Sequence, residues 1–288
     1  MALTPTGPNA EQIKYWNDIS GPKWVALHEI VDRQIHPLGQ AAMDAAGIGA
    51  GDRVLDIGCG CGATTADIAR RVGAQGAAVG IDVSAVMLER ARTVAQDAGL
   101  TQARFEHADA QTHDFPPGAF TVLFSRFGVM FFSDPAAAFA NLCPALQPGG
   151  RLGFVCWQAI TENPWMLVPL AAAAQHITLP APPPPGAPSP FAFADAARVR
   201  QILTQAGFVD VTITPHAEAL TVGASTDIDE TVNFLLEMGP TGSALRQAPP
   251  EARPVVAAAV RDALRPYVTA DGVRMNSAAW IVTARRAG

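Results

Sequence analysis

Three glycines alternate at positions 58, 60 and 62 in VLDIGCGCGATTADIA (54–69), with Asp56 two residues ahead of them. Glycine lacks the Cβ that would block a sharp turn or the close approach of a ligand, so this loop can bring its backbone against a bound molecule. With Ala63 it satisfies the spacing G-x-G-x-x-G/A, and Asp82 follows where an acid would take a pair of ribose hydroxyls. Spacing alone leaves open whether the loop holds a dinucleotide phosphate or another ligand. Asp109, in HADA (107–110), is a further polar candidate, at the end of the third expected strand. Cys59 and Cys61 fit the tight loop as two small side chains, a redox or soft-metal pair being the alternative; none of the four cysteines (59, 61, 143 and 156) has the Cys/His pairing of a zinc site. The histidines at 28, 36, 107, 113, 176 and 216 are scattered. Only His107 falls near the loop by sequence order, as a candidate base or as a buried, hydrogen-bonded ring.

For these residues to act together, strands must deliver them to one place. Residues 52–58, 77–84, 103–110, 119–128 and 151–158 read as strands, and 64–72, 85–99 and 134–150 as helices between them. Such alternation requires crossover connections, hence a parallel sheet with helices on both faces. Ligands of these sheets sit beyond the carboxyl ends of the strands, where the glycine loop, Asp82 and Asp109 fall. A helix over 24–46 precedes the first strand, with Pro37 expected to kink or split it. Past 158 the pattern breaks: LPAPPPPGAPSP (179–190) reads as a stiff loop, followed by a helix over 195–208, a strand over 209–216, helices over 228–239 and 251–268, and a last strand over 278–286.

Composition narrows the classes. The 288 residues, 49% apolar and 16% charged, suffice for one large domain or one domain with a cap. A formal charge of −6 without long runs of one sign argues against nucleic acid as the main partner. MALTPTGPNAEQIKYW has no apolar core of a signal peptide, and no stretch runs ~18 apolar residues, so the expectation is a cytoplasmic protein without a membrane span.

Taken as a set, VLDIGCGCG, GIDVS (80–84), HADA and LQPGG (146–150) resemble the class I S-adenosylmethionine-dependent methyltransferases, specifically the bacterial small-molecule group related to the quinone-biosynthesis enzymes. The likeness is strong over about 40–158 and looser over the two final strands. It implies a Rossmann-like α/β fold: a seven-stranded, mostly parallel sheet with helices on both faces, the last strand antiparallel, and a helical cap. The expected organisation is a single domain over 1–288, with a core of about 40–158, 191–216 and 277–286 and a cap from 1–39, 158–190 and 217–276. By position, the resemblance implies S-adenosylmethionine as cofactor, with Asp56 and the backbone of Gly58, Cys59, Gly60 and Gly62 on its methionine part. Asp82 would accept both ribose hydroxyls, Val83 and Met87 would line the adenine, and Asp109 would accept from its amino group beside Ala110. Ser125 and Arg126 would lie near the methionine. One departure is Thr121, where relatives usually carry aspartate.

A methyl sulfonium is already activated, so the expected reaction is in-line displacement by an acceptor oxygen, carbon or nitrogen, with positioning and water exclusion as the main catalysis. The acceptor pocket is expected from RFGVMFFSDP (126–135), from Trp157 and from the cap. There Phe127, Met130, Phe131, Phe132 and Trp157 suit an apolar or aromatic small molecule. Tyr15, Trp16 and Trp24 are expected to fold over the cofactor, where an aromatic face favours positive charge. No metal or nucleic acid is expected, and the protein is expected as a monomer or homodimer. Two other readings stand beside this one. A nicotinamide-dependent oxidoreductase lacks support from a Tyr-x-x-x-Lys pair, since neither Tyr15 nor Tyr267 has lysine four residues on. A cofactor-binding relative without catalysis is the other.

Overall fold

A computed structural model describes residues 3–288; residues 1 and 2, which belong to the expected cap, lie outside the described residues. The chain opens with α1 (Ala10–Lys14), a single π-type turn (Tyr15–Ile19) and the long α2 (Ser20–Ala45). Pro37, expected to kink or split this helix, lies inside it without splitting it. Proline removes one backbone hydrogen bond, but Val31, Ile35, Leu38, Ala42 and Met43 are all buried, and that packing holds α2 together across the gap.

Strands and helices then alternate as expected: β1 (Arg53–Ile57), α3 (Ala63–Val72), β2 (Ala77–Asp82), α4 (Ala85–Asp97), β3 (Ala103–His107) and β4 (Phe120–Arg126). The helix expected over 134–150 is shorter. Asp134 caps α5 (Pro135–Leu142) by accepting from the Ala137 N–H, but Pro144 has no N–H to continue the ladder. After one 3-10 turn the chain enters β5 (Leu146–Trp157) already at LQPGG, which forms an irregular pairing between Phe120↔Leu146 and Val122↔Arg151. Beyond it come α6 (Pro164–Ala173), α7 (Ala196–Gln205), β6 (Phe208–Thr221), α8 (Ile228–Glu237), α9 (Gly239–Leu245), α10 (Ala252–Leu264), β7 (Val268–Thr269) and β8 (Gly272–Arg286). Residues 179–190 contain no helix or strand.

The sheet runs β3-β2-β1-β4-β5-β8-β6, with β8 antiparallel to both neighbours and the first five strands mutually parallel. This is the Rossmann-like arrangement with an inverted last strand; the two-residue β7 adds an eighth strand as a hairpin onto β8. Central strands are covered on both faces, and Val54, Leu55, Val122, Leu123 and Phe124 are accordingly buried without alternation. Helices α6, α8, α9 and α10 pack on one another as a separate cluster. Thr121 acts as a staple: its Oγ1 donates to Asp52 Oδ1 (2.8 Å) and accepts from the Arg53 N–H (2.9 Å). Burial would raise the Asp52 carboxyl, but the Gly49 amide, Thr121 and Arg151 hold it below its ordinary range.

Candidate cofactor and acceptor site

At the end of β1 the chain turns through Gly58, Gly60 and Gly62 with φ of 69°, 55° and 84°, the region glycine alone enters freely. A Cβ on Gly58 would lie 2.8 Å from Gly128 Cα, and one on Gly62 2.7 Å from Ala91 Cβ. A Cβ on Gly60 would meet only Met87 Sδ, at 4.0 Å. The outer two glycines therefore allow close packing, while Gly60 leaves bare floor beneath a cavity of about 230 Å³.

Gly58, Cys59 and Gly60 line this cavity together with Asp82, Val83, Met87, Asp109, Ala110 and Arg126. Asp82 Oδ2 accepts from the Gly60 N–H and Oδ1 from the Ser84 N–H, both at 2.8 Å. Burial raises its pKa, opposed by these amides and by His107. Asp109 receives Asn9 Nδ2 on both oxygens, at 2.9 and 2.8 Å, and the Gln111 N–H on Oδ1. Asn9 and Gln12 also line the cavity, and the buried Oε1 of Gln12 has no hydrogen-bond partner. Sequence reasoning missed both, because nothing local ties Asn9 to an aspartate 100 residues on.

Asp56, Gly62, Ser125, Tyr15 and His107 are not on the cavity wall but behind it. Asp56 Oδ2 accepts from Thr65 Oγ1 at 2.6 Å while Oδ1 has no partner. Burial pushes its carboxyl up to about 7, against the pull of Thr65 and Arg126. Ser125 Oγ donates to the Ile57 carbonyl (2.7 Å) and accepts from the Gly128 N–H (3.1 Å), tying the β1 and β4 loops together. His107 Nε2 lies 3.0 Å from the Val83 carbonyl, which fixes its hydrogen there. The histidine on the cavity is His28. Its Nδ1 faces the Val25 carbonyl (2.8 Å) and so carries the hydrogen, leaving Nε2 to accept from Arg90 Nε (3.0 Å). One turn further along α2, Asp32 pairs with Arg126 at 2.5 Å, and both line the cavity. Gly39 makes room for the arginine stem, since a Cβ there would come 2.9 Å from Arg126 Cδ.

The N-terminal segment straps across this end. Trp16 lines the cavity, edge-on to Trp24 at 5.9 Å and to Phe131 at 5.1 Å. The Trp16 carbonyl accepts from Ser84 Oγ (2.8 Å), and Asn17 bonds the Val83 carbonyl and the Ala85 N–H, both at 2.9 Å. The rest of the lining is largely aromatic and apolar: Phe127, Met130, Phe131, Phe132 and Trp157, with Trp165, Met166, Phe234 and Leu235 from the helical cluster. Phe127 stacks on Trp157 at 4.1 Å and 15°. Its φ of 62° is one an aromatic residue rarely adopts.

Three carboxylates line the cavity, Asp32, Asp82 and Asp109, against one arginine already paired to Asp32. Such a lining favours a cation over a pyrophosphate. Among the described residues no group of His, Cys, Asp or Glu has the arrangement of a metal site, and no helix is long and apolar enough to cross a membrane.

A five-strand parallel run, an inverted strand between β5 and β6, and a glycine loop facing two strand-end acids together make a Rossmann-like architecture. Residues 54–150 match the family model described as a methyltransferase domain. The aklanonic acid methyltransferase DauC of Streptomyces sp. (strain C5) is 38% identical over 118 residues, 41% of this chain and 54% of that one. The ubiquinone/menaquinone biosynthesis C-methyltransferase UbiE of Idiomarina loihiensis is 33% identical over 132 residues, 45% of this chain and 53% of that one. The chain thus spans about half the length of these curated relatives. The Haemonchus contortus phosphoethanolamine N-methyltransferase 2, solved in complex with S-adenosyl-L-methionine, shares the fold at a TM-score of 0.53 and 18% identity, over 88% of this chain and 53% of that one.

Proposed function

We propose that the protein transfers the methyl group of S-adenosylmethionine to an oxygen, carbon or nitrogen of a small apolar or aromatic acceptor. The observation that carries this reading is one cavity shared by the bare glycine floor, two strand-end acids and an aromatic wall. Bound S-adenosylmethionine supplies a methyl on a sulfonium that needs no further activation. The work left to the chain is to bind, orient and exclude water.

In this reading Asp82 accepts the ribose hydroxyls with lone pairs its two backbone amides leave free. The Gly58–Gly62 backbone holds the methionine part, with Arg126 beside it and Asp56 and Ser125 supporting the loop from behind. Val83 and Met87 flank the adenine, and Asp109, Ala110 and Asn9 close its edge. Trp16 and Trp24 turn aromatic faces toward positive charge, an arrangement worth more once water is shut out. Tyr15 buttresses Trp16 from outside, edge-on at 5.5 Å. Neither His107 nor His28 is assigned as a base: both ring nitrogens of His28 are committed, and His107 does not line the cavity. The strap and the α6, α8 and α9 cluster form the cap of one domain, and that cap chooses the acceptor.

The test is calorimetric titration of the protein with S-adenosylhomocysteine, NADH and NADPH in parallel. Binding of the first alone, at about micromolar strength, is the expected result. Binding of a nicotinamide nucleotide alone would overturn the proposal and make the loop a phosphate cradle.

A further inference from the structure

Trp165, the second residue of α6, lines the aromatic end of the cavity and is only 8% exposed, yet its Nε1 has no hydrogen-bond partner. A buried indole N–H ordinarily finds an acceptor, and a native orphan calls for a partner brought from outside. The ring is held firmly. Its neighbour Asn163 is fully buried, donates Nδ2 to the carbonyls of Ala159 (3.1 Å) and Ala278 (3.0 Å), and accepts from the Ala278 N–H (2.9 Å). These bonds fasten the start of α6 to β8 and to the end of β5. Trp157 packs against the indole at 5.5 Å and 59°, and Phe127 stacks on Trp157. The left-handed backbone of Phe127 is the kind of conformation that persists only where its surroundings enforce it, and here it holds the ring flat on Trp157.

We infer that the Trp165 indole N–H is the specificity-determining donor of the acceptor pocket, and that the acceptor is a flat ring system carrying a carbonyl or phenolic oxygen. The ring lies against Phe127 and Trp157 while that oxygen accepts from Trp165. A donor on the attacking atom would lower its nucleophilicity, so the oxygen on Trp165 anchors the molecule and the methyl goes to a different atom of it. The inference rests on the methyl-transfer reading for the word acceptor, but the recognition itself does not depend on the cofactor.

The test uses 1-indanone and indane, flat molecules of the same shape that differ by a carbonyl oxygen. Each is titrated into wild type and Trp165→Phe, with and without S-adenosylhomocysteine, and followed by the indole ¹⁵N–H resonances. A site built around a donor rejects the analogue that leaves it unpaired. The wild type is expected to prefer 1-indanone by about tenfold or more, Trp165→Phe by less than about threefold. The resonance missing from the variant should move on adding 1-indanone and not indane. Equal binding of the two molecules by the wild type, binding of neither, or a preference that survives in Trp165→Phe would each overturn the inference. Circular dichroism and thermal unfolding check the fold of the variant. If the wild type fails to bind S-adenosylhomocysteine while discriminating the two indanes through Trp165, the methyl-transfer reading falls and the donor assignment stands.

Discussion

Asp82 and Asp56 are both buried acids at the glycine loop, and their surroundings give them different expected behaviour. Asp82 is on the cavity, so Asp82→Ala removes a charged acceptor from the proposed ribose site. A loss of about tenfold or more in S-adenosylhomocysteine affinity is expected by calorimetry, with circular dichroism as the check on folding. Unchanged affinity in a folded variant would place the ribose elsewhere. Asp56 is off the cavity, with its carboxyl raised from 3.8 to about 7 by burial. Between those values the folded protein keeps a proton that the unfolded chain has released, so stability from this group falls as pH rises through the window and levels off above it. Asp56→Asn keeps an acceptor for Thr65 without a titrating charge. Thermal unfolding at about pH 5 and about pH 8 should therefore show a smaller drop in Tm for the variant than for the wild type. An equal drop would mean that Asp56 is already ionised at the lower pH. The two acids were legible in the sequence because Asp56 stands two residues ahead of the first glycine and Asp82 ends the next strand. Asn9, Gln12, His28 and Asp32 were not, because they reach the cavity from α1 and α2 through tertiary folding. Strand order puts His107 near the site, but which way a ring turns depends on an acceptor, here the Val83 carbonyl, that spacing does not reveal.

Among the elements, the π-type turn is the one on which the strap depends. A Cβ on Gly21 would fall 2.0 Å from the Trp16 carbonyl oxygen and 2.8 Å from Ser84 Oγ. Gly21→Ala must therefore push the turn off the start of α4, even though alanine is the better helix former. The expected outcome is weaker S-adenosylhomocysteine binding, by about tenfold, with the sheet still folded. A lower Tm with unchanged affinity would reduce the strap to packing. The alternation of β1 to β5 was readable because buried strands and amphipathic helices have different periods. The over-long helix at 134–150 came from reading a proline and two glycines as a stop signal at the far end, when Pro144 had already ended the ladder. Helix α6, PWMLVPLAAA, escaped notice because it is apolar on nearly every side and has no polar face to mark its period. Its neighbour α9 begins with Gly-Pro, which reads as a turn.

At the scale of the whole molecule, the proposed function draws the cofactor surface mainly from the sheet and its loops and assigns acceptor choice to the helical cluster. Conservative changes in the cluster, such as Met166→Leu or Leu235→Met, are expected to reorder a panel of acceptors while S-adenosylhomocysteine affinity stays within about twofold. Loss of cofactor binding from those changes would contradict the division. The position of β8 carries a separate consequence. It is made after both β5 and β6, yet it lies between them and is the strand that β6 pairs with. While the chain is being synthesised, β5 keeps a bare edge and β6 has nothing to join until residues 272–286 emerge, and bare edges recruit other chains. Ribosome-arrested chains halted at Asp271 should therefore stay sensitive to protease and need chaperones to remain dispersed, and protection should arrive in one step once β8 has cleared the tunnel.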